Sequence, residues 1–219
     1  MRDLRINRIF EGSNQVMRLF IAREALDVHL KVAGDVVMPN VPWAKRLAGL
    51  VRSGVFYAGW YPGRWLGWGH WPQYGEFGPL AGHLQWVERT SRRLARQMFH
   101  LMVLTGPALE RKQGLLFRAV DVGAELFAMT ATIVRAQRDV KRGVGSGSPS
   151  ELADAFCRAS RRRVETLFAG IASNDDPSNY ATARAMLDGR YAWLEQGVVP
   201  APTEGKPAVE PVRQAAGVS

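Results

Sequence analysis

Residues 112–139 read KQGLLFRAVDVGAELFAMTATIVRAQRD. Within them Leu115, Ala119, Val122, Leu126, Met129, Ile133 and Ala136 recur at alternating steps of four and three. A helix with one buried stripe turns that spacing into a continuous apolar seam. The stretch upstream repeats it with Leu80, Leu84, Val87, Ser91, Leu94, Met98 and Leu101, and Gly106-Pro107 stops it. Two seams joined by a short turn predict an antiparallel pair packed at a shallow angle, so the fold class is all-α.

Helical periodicity extends on both sides. Ser13 or Asn14 can cap a helix whose apolar face carries Val16, Leu19, Phe20 and Leu26, with Gly34 and Pro39 ending it. A short helical pattern, PWAKRLAGLVRSG, follows. Residues 54–79, GVFYAGWYPGRWLGWGHWPQYGEFGP, are dense in glycine, proline and tryptophan, and read as an irregular loop tied down by its rings. That loop suits either an interfacial anchor or an arm packed on a neighbouring domain or subunit. Downstream, GVGSGSPS reads as a flexible connector. Ser150 then caps a helix from Glu151 to about Ala172 with Leu152, Phe156, Val164 and Phe168 inward, and Pro177 opens a last helix ending near Gln196. Residues 197–219 have no periodicity and are expected to be a disordered tail.

Charge narrows the partners. Lys+Arg number 29 against 20 Asp+Glu, a balance of +9, and 24 of the basic residues are arginine. The balance favours anionic partners, although an arginine-rich proteome with a solvated surface gives the same count. Arg89, Arg92, Arg93 and Arg96 share one helical face, suited to anionic headgroups or simply to water. No nucleic-acid-binding motif accompanies the charge, so no nucleic-acid partner is expected. The single cysteine, Cys157, excludes an intrachain disulfide. His29, His70, His83 and His100 are scattered without ligand spacing, so no metal site is expected. The first twelve residues lack the apolar core of a secretory signal, and no run approaches the ~20 apolar residues of a spanning helix. A cytoplasmic protein, with peripheral contact at the inner membrane face, is the expectation.

Residues 2–22, RDLRINRIFEGSNQVMRLFIA, pair a carboxylate with a glycine, Glu11-Gly12, just before a helix. On physics alone Glu11 is a structural group stabilised by the helix dipole. The segment, however, resembles the C-terminal signature of the acyl-CoA dehydrogenases, R-D-x-R-I-x-x-I-[FY]-E-G-T-x-x-[IV]-x-R, with Ser13 where threonine is usual. Residues 112–139 resemble the C-terminal helical extension of the very-long-chain branch. The resemblance implies that Glu11 is the catalytic base, taking the α-proton of a fatty acyl-CoA thioester while the β-hydride goes to FAD. It further implies that Phe10 and Gly12 contact substrate and that Ser13, Asn14 and Gln15 contact FAD.

The same resemblance implies an organisation. Residues 1–33 would be the last helix and active-site segment of the family's C-terminal domain, and 34–78 a short helix with a Trp/Gly-rich irregular connector. Residues 79–196 would be the helical-bundle extension, and 197–219 the tail. Most of the FAD- and acyl-CoA-binding domains are absent from such a chain. It is therefore expected to be inactive and flavin-free alone, as a truncated reading frame or one part of a split enzyme. Its partners would be acyl-CoA and either a second copy or the missing N-terminal part. The branch's extension is linked to membrane association and dimer packing, so a non-catalytic helical module for docking or assembly is the alternative.

Overall fold

The computed structural model describes residues 14–37, 40–67, 73–146 and 148–195. Among them there is no strand, and six α-helices follow one another: α1 (Asn14–Val37), α2 (Trp43–Leu66), α3 (Ala81–Thr105), α4 (Gln113–Lys141), α5 (Ser148–Ala172) and α6 (Asp176–Leu187). Short 3-10 turns at Gly75–Leu80 and Gly106–Arg111 lead into α3 and α4.

The long seam of α4 holds the fold together. All seven seam residues from Leu115 to Ala136 are buried, and Val122, Met129 and Ile133 are wholly inaccessible. One end packs with Leu80, Leu84, Ala153 and Cys157, and the other with Val164, Phe168 and Ile171. The most extensive partner of α4 is α5, with α3 and α1 contributing less. Each large buried aliphatic or aromatic side chain contributes about 1.5–3 kcal/mol, enough to override weak local propensity. A forked ion pair, Arg163 Nε and Nη2 to the two Glu125 oxygens at 2.7 and 2.8 Å, joins α5 to α4.

Several local expectations need correction. The Gly/Trp segment 54–66 is helix, part of α2. Each interior glycine costs about 1 kcal/mol relative to alanine. The aromatic stripe Phe56, Tyr57, Trp60 and Tyr61 offsets that cost by packing on His29 and Phe99. Pro62 sits inside the helix, which ends where Gly67 adopts φ 67° and donates its N–H to the Gly63 carbonyl. Likewise α1 runs through Gly34 to Val37, and its Val16 and Phe20 are exposed while Ala22 is buried.

The Gly143–Ser150 segment begins as a hydrogen-bonded turn. Gly143, at φ 72°, donates to the Val140 carbonyl, and Val144 donates to that of Asp139. Helix α5 then starts at Ser148, ahead of Ser150. Its buried stripe is Ala153, Cys157, Ser160, Val164, Phe168 and Ile171, so Leu152 is exposed and Phe156 lies at the surface. The arginine face is not a free surface either. Arg93 pairs with Glu165 at 2.9 Å and covers the Phe168 ring, while Arg96 stacks on Trp65 at 4.0 Å and donates to the Arg64 carbonyl. Arg92 pairs with Glu88, and Arg89 remains exposed.

Residues 175–195 form a unit of their own. Its helix α6 begins with Pro177 in the first turn and stops at Leu187, earlier than the spacing suggests, with Gly189 at φ 77° in the turn that follows. None of the α6 side chains is buried. The 197–219 tail lies outside the described residues.

Candidate active-site helix

Phe10, Glu11, Gly12 and Ser13 lie outside the described residues. Asn14 and Gln15 open α1, and their side chains are likewise outside them. What the structure defines is the helix that follows Glu11 and the contacts that hold it.

Two sets of contacts clamp α1. Near its start, Arg18 Nη2 lies 2.9 Å from Asp121 Oδ1 on α4, and the guanidinium covers the Phe117 ring at 5.8 Å. Ala22, flanked by Leu19 and Leu26, is buried with Leu109 and Leu116. The second clamp joins the other half of α1 to α2. His29 Nδ1 and the Tyr57 hydroxyl are 2.9 Å apart, and the Trp60 ring meets the imidazole edge-on at 4.9 Å. Ser53 Oγ donates to the Val32 carbonyl at 3.1 Å, and Arg52 pairs with Asp35 at 2.8 Å. A Cβ on Gly49 would come within 2.9 Å of the Asp35 Cβ, so the two helices meet where only glycine fits without a shift.

Electrostatics follow burial. Desolvation holds the His29 imidazole below its ordinary pKa and pushes the Tyr57 phenol up. The other paired histidines are spread apart. His83 Nε2 meets Asp154 Oδ1 at 2.8 Å, a bond that holds this carboxylate below its usual range, and His100 Nε2 meets the Tyr61 hydroxyl at 2.9 Å. His70 lies outside the described residues. Burial pushes the Cys157 thiol up to about 11, so it stays protonated and is not a nucleophile at neutral pH. Among the described residues no group of His, Cys, Asp and Glu side chains could hold a metal ion.

The sequence reading missed the aromatic–histidine clamp and the Arg18–Asp121 pair. The signal for the first was present, since Phe56, Tyr57, Trp60 and Tyr61 fall at helical spacing inside the glycine-rich stretch. No described helix is long and apolar enough to cross a membrane.

The ACAD9/ACADV, C-terminal domain family matches residues 84–188. The chain is 49% identical over 201 residues to the "Probable acyl-CoA dehydrogenase FadE10" of Mycobacterium tuberculosis, covering 91% of this chain and 31% of that protein. It is 27% identical over 214 residues to the human "Very long-chain specific acyl-CoA dehydrogenase, mitochondrial", covering 91% of this chain and 30% of that protein. The chain thus spans less than a third of the length of these relatives. No solved structure matches it. Residues 84–188 match the ACAD9/ACADV C-terminal domain, and the chain's homologues are acyl-CoA dehydrogenases, of which it corresponds to a C-terminal fragment.

Proposed function

We propose that the chain supplies the catalytic base and the helical extension of an FAD-dependent acyl-CoA dehydrogenase that converts long-chain acyl-CoA to trans-2-enoyl-CoA in fatty acid β-oxidation. The observation that carries this reading is the clamping of α1. In sequence Glu11 stands three residues before Asn14, which opens a helix fixed to α4 and α2 by Arg18–Asp121 and His29–Tyr57. Proton abstraction needs a base held within reach of one carbon, and a clamped helix that begins three residues further along the chain supports that reading.

In this reading Glu11 takes the proton from the thioester's α-carbon. The charge that develops moves onto the thioester oxygen, where the Glu11 backbone N–H donates to it. Gly12, without a side chain, lets the thioester approach, and Phe10 lines the acyl channel. Ser13, Asn14 and Gln15 hold FAD. The first turn of α1 carries no acidic residue, and its backbone N–H groups lack intrahelical acceptors, a setting that suits the phosphates of a dinucleotide. Bound FAD supplies the acceptor for the β-hydride. The chain alone is inactive in this reading, because flavin and substrate are held largely by the two thirds of the enzyme that lie outside the match.

The test is a chimaera in which all 219 residues replace the matching segment of the Mycobacterium tuberculosis relative. The chimaera turns over a long-chain acyl-CoA with an artificial electron acceptor, and the isolated chain does not. An isolated chain that binds FAD and turns over by itself refutes the need for the remainder.

A second reading, a membrane-docking module, draws on α2. Trp43, Leu47, Leu50, Val51 and Val55 form an exposed apolar stripe, with Trp43 at 79% exposure. Such a face suits the boundary between headgroups and acyl chains. Liposome flotation separates the readings: lipid binding lost in Leu47→Asp and Val55→Asp supports docking, and no flotation removes it.

A further inference from the structure

Helix α2 is held to the fold by few buried groups. Of its 24 residues only Gly49, Ser53 and Gly63 are buried. Its inner side carries Phe56, Tyr57 and Trp60, each half-buried, and these rings gather around one side chain of α1, the buried imidazole of His29. Tyr57 stacks on the imidazole with the planes 3° apart, and Trp60 and Phe56 meet it edge-on. Phe99 of α3 lies 6.5 Å away, centroid to centroid. The Tyr57 hydroxyl is the hydrogen-bond partner, at 2.9 Å. We propose that His29 is an acid-operated latch: a proton on this imidazole releases residues 43–57 of α2 from α1, while the bundle of α3, α4 and α5 stays closed.

The charged neighbours on every element packed here give an imidazolium no partner. On α1, Asp27 pairs with Lys31, Glu24 acts on the same ammonium, and Asp35 pairs with Arg52 of α2. On α2, Tyr57 is a neutral phenol, Tyr61 bonds to His100, and Arg64 covers the Trp60 ring. On α3, His100 is taken by Tyr61 and Arg96 stacks on Trp65. A charge buried among rings without a counter-charge is costly. Desolvation accordingly holds His29 below its ordinary pKa. The proton therefore binds more tightly when the seam is open, and acid favours the open form.

What else fastens this part of α2 is slight. Ser53 Oγ donates to the Val32 carbonyl, and the Arg52–Asp35 pair is exposed, the kind of contact that solvent screens. The flanking elements have fastenings of their own. Arg18–Asp121 and the burial of Ala22 with Leu109 and Leu116 keep α1 on α4, and Tyr61–Phe99 and Trp65–Arg96 keep the end of α2 on α3. Opening is therefore local. It adds Phe56, Tyr57 and Trp60 to the apolar surface that Trp43, Leu47, Leu50, Val51 and Val55 already present.

Amide hydrogen exchange of the full 219-residue chain at pH 7.5 and pH 5, corrected for the intrinsic effect of pH, reads the latch. Amides of residues 47–57 lose protection by about tenfold at pH 5, below the ceiling of about 30-fold for a group of ordinary pKa about 6.5 that charges only when the seam is open. Amides of α4 from Leu115 to Ala136 keep theirs. His29→Gln and His29→Phe each abolish the difference between the two pH values, the second by filling the cage with a ring that does not titrate. His100→Gln, at the exposed pair on the same helix, retains it. Equal protection of residues 47–57 at both pH values overturns the latch, and so does a loss shared equally by α4. A pH difference that survives both His29 substitutions, or one that His100→Gln removes, overturns it as well.

Discussion

His29 Nδ1 and the hydroxyl of Tyr57 lie 2.9 Å apart, and this contact ties the second half of α1 to the middle of α2. The imidazole is buried beneath Trp60, Phe56 and Phe99, with ring centroids 4.9 to 6.5 Å away. Its partner is a phenol and not a carboxylate, so nothing at the contact favours the charged form.

A pH dependence follows from that burial. The folded chain holds His29 below its ordinary pKa, so between that lowered value and about 6.5 the unfolded chain binds more protons. The contribution is therefore complete above pH 6.5 and declines as pH falls toward the folded value. Melting temperature should drop between pH 7.5 and pH 5, and His29→Gln should flatten that part of the profile. Equal slopes in the two proteins would show that His29 titrates identically in the folded and unfolded chain.

The register of α5 can be read by substitution. Ala153 is 1% exposed against Leu80, Ile133 and Met129, whereas Leu152 is 71% exposed. Ala153→Leu forces extra methyl groups into a filled site and should lower stability by about 1–3 kcal/mol. Leu152→Ser should stay within about 0.5 kcal/mol of the parent in urea unfolding. The opposite order would restore the face that begins at Leu152 and Phe156.

Cys157 provides a probe of the core. Its thiol is inaccessible and is pushed up to about 11 by burial. A thiol-reactive disulfide reagent at pH 8 should leave the native chain unmodified and label it fully in denaturant. Rapid labelling of the native chain would mean that the α4–α5 interface opens at this point.

The central seam was legible in the sequence because Leu115 to Ala136 keep one strict spacing and every member is buried. Helix α2 was not legible by the same reasoning. Glycine and proline density argued for a loop, but rings spaced along one helical face gain more from His29 and Phe99 than the glycines lose. The first half of α5 misled for a related reason. Leu152 and Phe156 are the larger apolar residues, yet the close approach of α4 admits only Ala153 and Cys157. Charge was the least legible feature: Arg93 and Arg96 look like a solvated face in sequence and are spent on Glu165, Phe168 and Trp65. Glu11 rests on its motif, and the structure contributes the helix it introduces.

The role of Glu11 is tested most directly by the turnover rate of the chimaera and of its Glu11→Gln form, compared at equal bound FAD. On the proposed role of Glu11 as the base, the substitution should lower the rate by a factor of about 10² to 10⁴. Equal rates would mean that another group removes the proton and that Glu11 is not the base.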